Sequence, residues 1–185
     1  MLRVAKAAWL AGAMAAATMV SVPALADVKT GVDAWTRGDF ATAVREWAGP
    51  AAQGDPDAQF NMGQAYRLGR GVETDVEQAE ALYAKAAAQG HVKAADNYGL
   101  LLFQRGAREE ALPYISAASM RGDPRAQYLL GIAHFNGDLV KKDWRRAYAL
   151  LTLANSSGLP QARGALAQMD QYISIEDRQA AQPLA

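Results

Sequence analysis

The 185-residue chain has no cysteine, only two histidines and no long run of charge of either sign. Each absence excludes a class of protein. Without thiols there is neither a disulfide framework nor a thiolate nucleophile. His91 and His134 each stand alone, so the clustered ligands of a zinc site or a metal hydrolase are missing, and no metal or cofactor is expected. Nineteen Lys and Arg balance nineteen Asp and Glu. A neutral chain lacks the basic excess that displaces counterions from phosphate, so no nucleic-acid partner is expected. Aromatics are only 8% of the residues, and no alternating β-branched run suggests a strand. Apolar residues, at 51%, are abundant enough for a real core, and packing alone must hold it together.

The first 26 residues read as a processed segment. Arg3 and Lys6 give a positive start, Ala7 to Val20 are almost all apolar, and Ala24-Leu25-Ala26 offers small residues before Asp27. This is the pattern of a secretory signal peptide cleaved between Ala26 and Asp27. The apolar stretch is short and Ala-rich for a bilayer span, so no permanent membrane span is expected. Loss of Arg3 and Lys6 leaves 17 basic against 19 acidic side chains, a mildly acidic product. The expected location is periplasmic or secreted.

The rest of the chain repeats itself. Gly54-Asp55-Pro56-Asp57-Ala58-Gln59-Phe60 returns 68 residues later as Gly122-Asp123-Pro124-Arg125-Ala126-Gln127-Tyr128, with fainter copies at Gly90 and Gly158. Gly31, Gly63, Gly99 and Gly131 are spaced by 32, 36 and 32, while Ala43, Ala79, Ala111 and Ala147 are spaced by 36, 32 and 36. The two series differ because four extra residues sit between Gly and Ala in alternate units. Those long connections run from Leu68 to Asp75 and from Asn136 to Asp143; the short ones are Arg37-Gly38-Asp39 and Arg105-Gly106-Ala107.

Helix signals punctuate every unit. Asp55-Pro56 and Asp123-Pro124 are an N-cap followed by proline at the first helical position, where a missing N–H costs little. Asp75 and Asp143 are placed to cap the next helix, and Gln78 would complete a capping box with Asp75. Ala58, Met62, Ala65 and Tyr66 recur at helical spacing, as do Ala79, Leu82, Tyr83 and Ala86. The repeated glycines imply close backbone approach between paired helices, because Gly within a helix costs about 1 kcal/mol against Ala. Pro50 and Pro113 fall inside second helices and are expected to kink or delay them. The expected fold is an all-α solenoid of about ten helices in antiparallel hairpins, because one hairpin cannot bury its own apolar face. The units are placed at about 28–54, 55–90, 91–122 and 123–158, followed by a capping helix over 159–173 and a C-terminal capping helix or tail over 174–185.

At this spacing Ala58, Gly63, Tyr66, Gly69, Gly71, Val72, Asp75, Ala79, Tyr83, Ala86, Ala87 and Gly90 resemble the Sel-one-like repeat, an α/α relative of the tetratricopeptide repeat. Gly131, Gly137, Val140, Asp143, Ala147, Ala154 and Gly158 match it less fully. Leu139 stands where the family has Gly, and His134 where it has Tyr. The resemblance implies a non-catalytic adaptor that holds protein partners on a curved surface.

No residue pattern points to chemistry instead. Gly69-Arg70-Gly71 lacks the preceding strand and the Gly-Lys-Ser/Thr ending of a phosphate loop. Asp55/Asp57 and Glu109/Glu110 are explained by favourable interaction with helix N-termini. His91, at a helix start, is expected to be a capping or surface residue, and His134 a satisfied, partly buried one. No catalytic residue is assigned.

Implied by the tetratricopeptide likeness, a partner would lie along the first helices. Four residues after each repeated Gly stand Trp35, Arg67, Phe103 and Phe135; three before stand Phe60, Asp96 and Tyr128; one after stand Gln64, Leu100 and Ile132. Lys93 and Arg125 lie nearby. This ladder is either a groove for an extended peptide or amphipathic helix, or core packing between hairpins. Trp144 with Arg145 and Arg146 is a second surface candidate. The expected function is a periplasmic scaffold of the bacterial cell envelope that binds a protein or peptide. The alternative is the repeat module of a peptidoglycan or cell-wall-associated protein, although no glycan-binding domain is visible, and an enzyme comes third.

Overall fold

A computed structural model describes residues 27–185; the expected signal peptide over 1–26 lies outside the described residues. The described chain is helical, with ten α-helices packed in sequence order and no strand among the described residues. They are α1 (Val28–Thr36), α2 (Phe40–Ala52), α3 (Pro56–Leu68), α4 (Val76–Ala88), α5 (Val92–Gln104), α6 (Arg108–Met120), α7 (Pro124–Asn136), α8 (Trp144–Ser156), α9 (Pro160–Met169) and α10 (Ile175–Ala181). Every helix from α2 to α8 has 13 residues. The four extra residues of alternate units therefore lie wholly in the connections after α3 and α7.

One joint is used six times. At Gly54, Gly90, Gly122 and Gly158 between hairpins, and at Gly38 and Gly106 within the short ones, φ lies between 83° and 96°. The next N–H then reaches back to the carbonyl five residues earlier, as in Asp55 N to Pro50 O at 3.0 Å and Asp123 N to Ala118 O at 3.0 Å. Gly54 and Gly122 donate in turn to Ala51 O and Ser119 O. This is the Schellman closure, and it needs the left-handed residue that glycine supplies most cheaply. The following residue caps the next helix: Asp55 accepts from Ala58 N at 2.8 Å, and Asp123 from Arg125 N and Ala126 N. Stop, turn and start thus occupy three residues.

The capping box expected at Asp75 forms only in half. Its carboxylate accepts from Gln78 N at 2.8 Å, but its own N–H is donated to Tyr66 O at 3.0 Å. The equivalent Asp143 donates to His134 O at 3.0 Å. The long connection thereby closes onto the helix it left, which leaves Gln78 no donor to capture. Pro50 and Pro113 do not delay their helices, for α2 and α6 begin at Phe40 and Arg108, in register with Val76 and Trp144. Each proline removes one hydrogen bond; at Pro113 the lost bond lies on an exposed face, where water can replace it.

The repeated glycines seat side chains rather than bare backbone. A Cβ on Gly31 would fall 2.3 Å from Trp47 Nε1, one on Gly63 2.7 Å from the Tyr83 ring, and one on Gly131 3.0 Å from Leu151. Trp47, Tyr83, Ile115 and Leu151 are equivalent positions of the second helices, and all four are buried. Only at Gly99 is the nearest atom the Cβ of neighbouring Tyr114, at 2.5 Å. Three of the four hairpins thus close around one large side chain pressed onto one glycine, whereas in the third Gly99 lies against Tyr114 Cβ and the α6 backbone.

Each long connection also folds back on the preceding hairpin. Gly71 sits where a Cβ would come 2.4 Å from the Phe40 carbonyl of α2. Arg70 lies over the Phe40 and Trp35 rings, at 5.1 and 5.9 Å. In the second pair of units the partners are exchanged: Arg108 of α6 lies 5.2 Å over Phe103, and the connection supplies Asp138, 3.9 Å from Arg108. The cation over the aromatic ring persists while the element providing it changes. At the C-terminus α10 packs back on α8, with Arg145 donating to Asp177 at 2.7 Å.

Candidate functional site

Residues from four first helices converge on one hollow. Arg67 comes from α3; Asn97, Leu100, Leu101, Phe103 and Gln104 from α5; Arg125, Tyr128 and Leu129 from α7. Leu159 and Gln161, at the start of α9, close its far side. Its volume is about 280 Å³, with a mainly apolar lining. First helices meet here because each joint returns the chain to the same side of the stack.

Five of the twelve ladder residues expected from the sequence, Arg67, Leu100, Phe103, Arg125 and Tyr128, lie in this hollow. Phe60 and Lys93 belong to a second, shallower hollow of about 750 Å³ over the starts of α1, α3 and α5. Phe60 is stacked on His91 with ring centroids 4.6 Å apart. Trp35 is half-buried in the first hairpin, 4.7 Å from Phe40 and 5.4 Å from Trp47. Ile132 and Phe135 pack with the last core cluster around Leu151 and Met169, and the Phe135 ring lies 6.4 Å from Trp144. Asp96 is ion-paired with Arg121. Gln64 is half-buried and lines neither hollow. The ladder is therefore divided between two hollows and hairpin packing.

Six liners escaped the sequence reading. Asn97, Leu101, Gln104 and Leu129 lie on the same helices at registers that the glycine alignment did not sample. Leu159 and Gln161 belong to a helix read only as a cap. Alignment of Arg125 with Gln161, 36 residues on, was the available signal for the last of them.

The charged groups of the hollow are arranged unequally. Arg125 is held by Asp123, with Nη2 2.7 Å from Oδ2. Burial alone would raise the Asp123 pKa, but the Arg125 guanidinium and the N–H groups of Ala126 and Arg125 outweigh it and hold the carboxyl below its usual range. A carboxyl lowered by folding stabilises above its unfolded pKa of about 3.9 and loses that contribution as pH falls through the folded value. Acid titration of unfolding should therefore show a loss below pH about 4 that is smaller in Asp123→Asn. Arg67 has a different partner: its Nε donates to the buried Tyr83 hydroxyl at 3.4 Å. Burial pushes the Tyr83 phenol up, with Arg67 and Arg125 opposing the rise.

His91 caps α5: its Nδ1 accepts from Ala94 N at 3.0 Å while Nε2 faces Asp57 Oδ1 at 3.2 Å. The accepting Nδ1 leaves the ring proton on Nε2, directed at the carboxylate. His91→Ala should cost about 1 kcal/mol in urea unfolding, and His91→Asn, which retains a capping acceptor, clearly less. His134 meets Lys141 O through Nδ1 at 3.1 Å; a carbonyl can only accept, so Nδ1 carries the proton. Arg145 and Trp144 are likewise engaged, with Asp177 and with Lys142 and Phe135. No group of three or more His, Asp or Glu among the described residues is placed to hold a metal ion. No helix among them is long and apolar enough to cross a membrane.

Stacked hairpins with first helices gathered around a hollow define an α/α repeat scaffold. Within that class the chain carries a match to the Sel1 repeat over residues 56–91 and 124–159, the two units with long connections. The solved structure of a Sel1 repeat protein from Oxalobacter formigenes is similar, with a TM-score of 0.64 and 28% identity over 77% of this chain and 58% of that one. The structure of c5321, a protective antigen of uropathogenic Escherichia coli strains displaying an SLR fold, matches with a TM-score of 0.64 and 25% identity, over 83% of this chain and 35% of that one. An uncharacterized protein of Neisseria meningitidis serogroup B is 28% identical over 134 residues, 72% of this chain. The match spans 28% of that relative's length. Sel1-repeat proteins mediate protein–protein interactions and are generally non-catalytic scaffolds.

Proposed function

We propose that this chain is a non-catalytic adaptor of the bacterial cell envelope, exported by its first 26 residues and capturing a protein or peptide on its first-helix face. The observation that carries the reading is the convergence of α3, α5, α7 and α9 on one largely apolar hollow with two arginines. The location rests on the charged start, apolar run and small-residue ending of residues 1–26.

Photocrosslinking in living cells from Phe103 and Tyr128, followed by mass spectrometry, tests the capture. One protein recovered from both positions, and not from Trp35 in the first hairpin, is the expected result. Binding to purified cell-wall sacculi with no protein crosslinked would overturn it in favour of a wall-associated module. N-terminal sequencing of the chain from the periplasmic fraction should begin at Asp27; retention in the cytoplasm with Met1 intact would refute export.

A further inference from the structure

The geometry points to a specific kind of occupant for the hollow over α3, α5, α7 and α9: we infer a peptide segment in which an acidic side chain adjoins a large apolar one. This rests on the scaffold reading above and states what the scaffold grips. Leu100, Phe103, Leu129 and Leu159 provide apolar walls. At about 280 Å³ the space is just below the range of about 300–1,000 Å³ for small-molecule sites. It suits one bulky side chain and its adjoining backbone, not a whole helix.

The electrostatics select the sign. Both charged liners are arginines, and no Asp or Glu lines the hollow. Arg125 is already matched by Asp123, whereas Arg67 meets only a neutral phenol, at the long end of hydrogen-bond distance. Arg105, Arg121, Arg145 and Arg178 all have carboxylate partners. Arg67 is half-buried against apolar neighbours, where a charge is less screened than in open water and an added carboxylate would interact more strongly. The start of α9 contributes in the same direction. Asp55, His91 and Asp123 cap their helices with side chains, but Leu159 supplies no side-chain acceptor, so the first turn of α9 faces the hollow without one.

The other hollow makes no such demand. There charges of both signs line the space, Asp27 and Asp57 beside Lys29 and Lys93, and two are already paired locally, Lys29 with Asp33 at 3.1 Å and His91 with Asp57 at 3.2 Å. The repeat alignment isolates the same residue. At the position of Arg67 the remaining units carry Trp35, Phe103 and Phe135, and each of those rings packs within its own neighbourhood. Arg67 is the departure from an otherwise aromatic series, and it stands at the edge of the hollow.

The test uses the full chain and an array of synthetic peptides of random sequence, acetylated and amidated so that only side chains carry charge. Selected peptides should share an Asp or Glu within two positions of Leu, Phe or Tyr. For the strongest one, replacing its acid by the corresponding amide should weaken binding by at least about tenfold, as for loss of a charge-assisted hydrogen bond. Arg67→Gln should weaken the acidic peptide by a similar factor and leave the amide peptide unchanged, and raised salt should weaken only the acidic one. Arg125→Gln, on an exposed position, should give a smaller loss confined to acidic peptides. The acid-to-amide comparison on the unaltered chain decides the matter even if Arg67→Gln folds poorly. Peptides selected without an acid, or bound equally as acid and amide, would overturn this inference and leave the scaffold reading standing. Selection of no peptide at all would overturn both.

Discussion

Trp47→Ala is expected to lower the stability of the chain by about 3–5 kcal/mol, the largest loss from any single truncation proposed here. Trp47 is 2% exposed, its Nε1 donates to Val28 O at 3.1 Å, and its ring covers Gly31. Truncation removes that bond, the contact with Trp35 and the filling between α1 and α2 together. The glycine opposite has no side chain with which to close the gap. At about 2–4 °C per kcal/mol for a chain of this size, the melting temperature should fall by roughly 6–20 °C. Trp144→Ala is the control: that ring is 38% exposed, and its loss should stay near or below about 1 kcal/mol. Equal losses in the two variants would show that Trp47 is not the keystone of the first hairpin.

Gly71→Ala should be the second severe change, at about 3 kcal/mol in urea unfolding. Two penalties act at once. The residue has φ of 77°, where an L side chain costs about 1–2 kcal/mol, and its Cβ would lie 2.4 Å from the Phe40 carbonyl. That contact is with backbone, so relief requires moving the connection off α2, and overpacking of this kind costs about 1–3 kcal/mol. Gly54→Ala separates the two penalties. Its φ is 96°, but a Cβ there meets nothing within 4 Å, so only the backbone strain remains. A Gly71→Ala loss no larger than that of Gly54→Ala would rule out the docking of the long connection on α2. The fourth unit offers a natural comparison: Leu139 occupies the position equivalent to Gly71, and no residue other than glycine has positive φ among the described residues. The second long connection must follow a different path there, and it engages α6 through Asp138 and Arg108 instead.

The arrangement of the repeats was legible because its signals are short-range. Asp-Pro after Gly says cap and helix start within three residues, and the 32 and 36 spacings say which connection is longer. Local spacing misleads where one group has a choice of partners. Gln78 had the right spacing for a capping box, but the Asp75 N–H is taken by Tyr66 across a connection whose path the spacing does not specify. The glycines mark close approach, as expected, but by side chains rather than by backbone at three of the four. What approaches is Trp47, Tyr83 or Leu151, and Trp47 was not singled out, because the apolar pattern of α2 is interrupted by Gly49 and Pro50.

The sequence alone therefore determined that this is a stack of helical hairpins in alternating lengths, and where the capped helices start. These are matters of caps, turns and hydrogen bonds spanning a handful of residues, so local chemistry settles them. Only the tertiary structure decided which members of the aromatic ladder meet in a hollow and which fill a hairpin. Trp35 and Phe103 have the same register in sequence, yet Trp35 is enclosed by Phe40 and Trp47, while Phe103 borders a space shared by four helices. That difference depends on the side chains brought by neighbouring units and on how successive hairpins turn against one another. It accumulates over contacts between residues far apart in the chain, and no window of the sequence contains it.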